Sequence, residues 1–216
     1  MNKAILDIIK NKKFSEDELL ALISAASVLR KEKLFKVFLS ICKQNKIKSN
    51  KVYETILQTY LFAGFPSAIV SLKTTNDFFP VKKKKFIDEK TSKKDTIKEG
   101  IKTCKKIYGQ KFYKLMSNIS SYSPELADWL VIEGYGKVLS RKGLNLSERE
   151  LSIISILTVQ KFESQLYSHI NGAFRQKINR KKIKKVIINL ELLGNKSYTK
   201  FGLNIFNKFI TNKKQY

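Results

Sequence analysis

The stretch Leu146 to Ala173, LSERELSIISILTVQKFESQLYSHINGA, holds a helix-start pattern, a long apolar run and the only histidine of the chain, His169. Ser147 followed three residues later by Glu150 has the form of a capping box. Further on, Phe162, Leu166, Ile170 and Ala173 recur at helical intervals, and His169 falls on the same face. The pattern predicts an antiparallel pair of helices in which Glu150 and His169 can meet among apolar side chains. Glu150 is then either the capping carboxylate or the partner of the imidazole, and His169 either a satisfied core residue or a working one.

Outward from this stretch, apolar residues recur at helical rather than strand spacing, so the chain reads as all-α. A short helix is expected over about Lys3 to Ile9. A second follows Ser15, whose Glu18 completes a capping box, and passes through Leu19, Leu20, Ile23 and Ala26. A third covers roughly Glu32 to Gln44, and a fourth starts at Ser49 or Asn50 and is ended by Gly64, with Pro66 opening the next. This pattern recurs later in the chain. Phe14-Ser15-Glu16-Asp17-Glu18-Leu19 matches Leu146-Ser147-Glu148-Arg149-Glu150-Leu151, and Leu34 matches Leu166. After a one-residue deletion, Val52 matches Ile183, Ile56 matches Ile187 and Leu61 matches Leu192. In this alignment Glu18 stands for Glu150 and Val37 for His169, so a histidine-dependent site belongs to the second copy.

The three-helix unit divides the chain into a first copy over residues 1–72, a basic linker over 73–95 with Pro80, and a second, more complete unit over 96–216. The second unit begins with a segment that the first lacks. It has expected helices over Thr96 to Tyr108, over Gln110 to Ser117 and from Pro124, and ends in Glu133-Gly134-Tyr135-Gly136. An aromatic between two glycines implies close packing, with room for a bound ligand as the alternative. Trp129 and Tyr135 are expected to pack.

Composition narrows the function classes. A 43% hydrophobic content supports a real core, and no run approaches the length needed to span a bilayer. A soluble, cytoplasmic protein without membrane partners is expected. Cys42 and Cys104 have no disulfide or metal-ligand spacing and read as free thiols, with no metal or cofactor implied. The net charge of +25 suggests a polyanion partner. However, only Arg30, Arg141, Arg149, Arg175 and Arg180 among the 43 basic residues are arginine. Without arginine forks or a docking motif, no specific nucleic-acid reader is expected.

Several motifs in order resemble the carboxymuconolactone decarboxylase family of the alkylhydroperoxidase D-like superfamily. They are Ile107-Tyr108-Gly109, Pro124-x-Leu-x-Asp-Trp129, Glu133-Gly-Tyr-Gly136 and Ser140-Arg141, then Leu146-Ser-x-x-Glu-Leu151 and His169. Tyr60-Leu-Phe-Ala-Gly-Phe-Pro66 resembles the ending of that family's helical repeat. The peroxide-reducing branch carries two cysteines where this chain has Phe162 and Gln165, so an antioxidant role would lack its nucleophile. The decarboxylase branch keeps the glutamate and histidine, matched here by Glu150 and His169. Asn195-Lys196-Ser197 departs from the small, proline-containing ending usual in that branch.

The resemblance implies cofactor-free decarboxylation of a small anionic carboxylated lactone. His169 would give and take the proton, Glu150 would orient it, Arg141 or Arg149 would hold the substrate carboxylate, and Tyr135 would contact the substrate. Rings of family subunits imply a homo-oligomer, a trimer of this double-copy chain. A non-enzymatic basic helical module for binding or assembly is the competing class.

Overall fold

Helical spacing of the apolar residues becomes twelve α-helices within residues 3–80 and 93–214, the parts of the chain that a computed structural model describes. In order they are α1 (Lys3–Asn11), α2 (Glu16–Val28), α3 (Glu32–Gln44), α4 (Ser49–Leu57), α5 (Tyr60–Phe78), α6 (Lys93–Tyr108), α7 (Lys111–Ser120), α8 (Pro124–Trp129), α9 (Leu146–Gln160), α10 (Glu163–Arg175), α11 (Arg180–Asn189) and α12 (Lys196–Lys214). No strand occurs among the described residues.

The helices α2 and α9 are apolar on nearly every side, which a helix tolerates only when it is surrounded. Residues 18–27 and 148–159 are accordingly buried without a break. The two helices pack on each other, and small side chains let their backbones approach. Ser155 Oγ donates to the Ala21 carbonyl at 2.8 Å.

Each central helix turns back into a partner, α3 or α10, through the same device. Arg30 (φ 53°) and Lys161 (φ 60°) adopt the left-handed conformation, and the following N–H reaches back five residues, Lys31 to Ala26 and Phe162 to Leu157. These are Schellman closures made with basic residues in place of glycine. The next turns repeat the device at Lys46 (φ 55°) and Lys177 (φ 58°). The structural repeat therefore runs at a spacing of 131, Arg30 to Lys161 and Lys46 to Lys177. It also extends by a fourth helix: Gly64 (φ 74°) precedes the main part of α5, and Gly194 (φ 82°) precedes α12. The sequence pattern alone stopped short of α12, whose Ile205, Phe206 and Phe209 are buried.

The expected linker is shorter than 73–95, because α5 continues to Phe78 and α6 begins at Lys93; residues 81–92 lie outside the described residues. The two copies do not keep separate cores. One apolar cluster centres on α6, α9, α10 and α12 but includes Ala21, and the other centres on α2 to α4 but includes Leu144, Val159 and Leu190.

The segment unique to the second copy packs on α10 through α6. Pro124 opens α8, which passes into a π-helical stretch, Leu130–Leu139, closed by Ser140 N–H to Tyr135 C=O at 3.0 Å. This stretch and α6 interlock through glycines. A Cβ on Gly100 would collide with the Val131 carbonyl oxygen, and one on Gly136 with the Thr96 carbonyl oxygen. Close packing is thus the role of Gly136, whereas Gly134 has room for a side chain. Trp129, expected to pack, is instead 60% exposed. No single described helix is long and apolar enough to cross a membrane.

Candidate functional site

Glu150 sits in the second turn of α9 and His169 midway along α10, and the hairpin brings them together. His169 Nδ1 lies 3.0 Å from Glu150 Oε2. An ionised carboxylate only accepts, so with Glu150 ionised the bond takes the Nδ1 proton of the imidazole and leaves the other ring nitrogen for exchange. Glu150 is fully buried, whereas 7% of the His169 side chain meets solvent. The route from the pair to solvent therefore runs through the ring. Glu150 Oε1 is buried without a hydrogen-bond partner, an unusual and costly state for a carboxylate.

The capping expectation for Glu150 is corrected. The N-cap of α9 is Asn145, whose side chain accepts from Glu148 N–H at 2.9 Å, while Glu148 Oε2 accepts from Asn145 N–H at 2.8 Å. Ser147 lies inside the helix, so Glu150 is free of capping duty. The internal comparison shifts with it. At the spacing of 131, Glu150 corresponds to Leu19 and His169 to Phe38, not to Glu18 and Val37. Leu19 and Phe38 are both fully buried in one apolar cluster. The same hairpin thus folds around a leucine and a phenylalanine in one copy and around a glutamate and a histidine in the other.

Neighbouring elements supply groups that sequence spacing did not assign to the site. Tyr108, at the end of α6, meets the His169 ring edge-to-face at 6.1 Å and the Tyr135 ring at 6.2 Å. Tyr135 and Cys104 are buried in the same apolar cluster, with Tyr108 packed against it. Burial pushes Tyr108 up to about 12 and Tyr135 well above its ordinary value, so both stay protonated and can donate. Gly172, one turn after His169, faces Glu150: a Cβ there would stand 2.7 Å from Oε2 and 2.8 Å from Ile107 Cγ2. A glycine three residues beyond a lone histidine on an apolar face was the available signal for this approach.

Tyr135 lies in this cluster, but Arg141 and Arg149 are held elsewhere. Arg141 Nε and Nη2 donate to the Glu54 carboxylate at 2.8–3.0 Å. Arg149, 1% exposed, donates to Glu54 Oε2 at 3.2 Å, to Gln58 Oε1 at 3.1 Å and to the Arg141 carbonyl at 3.0 Å. Arg149 is committed to Glu54, because a buried carboxylate and a buried guanidinium must pair, and the partly exposed Arg141 shares the same carboxylate. A cation nearer the tyrosine end is Arg175, on α10, whose guanidinium covers Gly109 beside Tyr108.

Both thiols are buried, Cys42 in one cluster and Cys104 in the other, and desolvation pushes each up to about 12. Neither presents a thiolate.

No family model matches the chain, and no solved structure matches it. The chain is 31% identical over 125 residues to Peroxisomal protein 2 of Schizosaccharomyces pombe, covering 57% of this chain and 59% of that protein. It thus spans less than two thirds of the relative's length.

Proposed function

We propose that this protein is a cofactor-free lyase of the carboxymuconolactone decarboxylase type, built on an alkylhydroperoxidase D-like helical fold and acting on a small carboxylated lactone. The observation that carries the reading is the buried 3.0 Å contact between His169 Nδ1 and Glu150 Oε2, set in a hairpin whose first copy holds Leu19 and Phe38 instead. The fold does not need this polar pair, and burying it without full hydrogen bonding costs stability. Such a cost is characteristic of working sites.

In the proposed reaction the C–C bond to the carboxylate breaks, carbon dioxide leaves, and the electron pair is delocalised toward the lactone carbonyl. The protonated imidazole of His169 then delivers its proton to the new carbanionic carbon. Glu150 is the positioning residue that fixes the tautomer. Tyr108 is the neutral donor beside the ring, and Arg175 replaces Arg141 and Arg149 as the cation for the substrate carboxylate. A trimer of double-copy chains and a cytoplasmic location complete the reading; microscopy of a tagged chain separates the latter from the compartment in the relative's name.

The test transfers the first copy's solution into the second. The double variant Glu150→Leu with His169→Phe is expected to melt at or above the wild-type temperature while losing turnover of 4-carboxymuconolactone at least about a hundredfold. Wild-type protein that leaves the lactone untouched, or a double variant with unchanged rate, refutes the assignment.

A further inference from the structure

We propose that the cleft between the end of α2, the start of α3 and the part of α5 beyond Gly64 binds a small amphiphilic carboxylate, independently of the Glu150–His169 pair. The cleft has a volume of about 520 Å³, in the range of small-molecule sites. Its floor is apolar, formed by Ala26, Phe35 and Ala63, and its rim carries Arg30, Lys31 and Glu32. Among the described residues neither cation has an ion-pair partner, because the adjacent Glu32 is taken by Lys36 at 2.7 Å.

Two further features favour an anionic head at that rim. Lys31 caps helix α3 without a side-chain hydrogen bond, so the first N–H groups of that helix have no side-chain acceptor from the cap. The Ser67 hydroxyl in the lining is buried with no partner and can donate to a ligand oxygen. Outside the rim, Phe65, Ile69 and Val70 are 62–69% exposed, which extends the apolar track for a chain. The second copy keeps one of the two cations, Lys161 in place of Arg30, but at the same spacing of 131 has Phe162 where Lys31 stands.

Calorimetric titration of the full chain tests this, with sodium octanoate as probe, octanol as its neutral twin and acetate as the head alone. Octanoate is expected to bind at least about tenfold more tightly than either control. Ala63→Trp, which fills the cleft, is expected to abolish the heat. Arg30→Gly combined with Lys31→Gln is expected to weaken octanoate about tenfold or more. Glycine suits the left-handed position of Arg30, so the fold persists in that variant, and thermal melting checks it. Failure of octanoate to bind, equal binding of octanol, or unchanged affinity in the filled variant overturns the proposal. None of these outcomes bears on lactone turnover.

Discussion

Gly172 fixes how closely the two halves of the polar pair can lie. Its missing side chain leaves space for Glu150 Oε2 and Ile107 Cγ2, each under 3 Å from where a Cβ would sit. Gly172→Ala is therefore expected to push Glu150 off His169. Overpacking of this kind costs about 1–3 kcal/mol, to be read from the urea midpoint, and the lactone turnover proposed above should fall with it. A variant as stable and as active as wild type would show that Gly172 does not set the contact. The legibility of the site was uneven at this scale. A lone histidine on an apolar helix face was visible from spacing alone, but its carboxylate was entangled with capping. Asn145-x-x-Glu148 and Ser147-x-x-Glu150 are overlapping candidates for one helix start. The choice is made by Asn145, which adopts extended backbone at the N-cap, and by Lys51 of α4, which pairs with Glu148.

At the scale of elements, four helix ends stop on a basic residue with positive φ where glycine is the usual choice. A non-glycine residue in this conformation costs on the order of 1–2 kcal/mol. Lys161→Gly, at the turn that aims α10 and His169 toward α9, is expected to stabilise the protein by about 1 kcal/mol and raise the melting temperature without changing the rate of turnover. A lower melting temperature would mean that the lysine side chain makes a contact of its own. Sequence spacing placed most of these helices, because amphipathic or wholly apolar periodicity survives any tertiary arrangement. It did not reveal the π-helical stretch around Tyr135. That backbone depends on glycine-to-carbonyl packing between α6 and Leu130–Leu139, and such a contact leaves no periodic trace.

Across the whole molecule, contacts between the copies come in related pairs. Lys51 of α4 pairs with Glu148 of α9, and at the spacing of 131 Lys182 of α11 pairs with Asp17 of α2. Glu54 pairs with Arg149, and the related Lys185 pairs with Glu18, with the charges exchanged. This is the reciprocity of an isologous dimer interface, realised within one chain. It explains why Arg141 and Arg149 could not be assigned from sequence. Their partner, Glu54, lies in the other copy, and no local pattern announces it. The two related pairs differ in burial: Glu54 and Arg149 are 2% and 1% exposed, whereas Lys185 is 57% exposed. Glu54→Ala strands a buried guanidinium and is expected to cost about 3–5 kcal/mol. Glu18→Ala removes a capping carboxylate but leaves Lys185 in water, so its cost should stay near about 0.5–2 kcal/mol. Urea unfolding of the two variants beside wild type measures the difference directly. Equal costs would mean that the α4–α9 crossing is no drier than its α11–α2 counterpart, and Arg149 would then not be the buried anchor of that crossing.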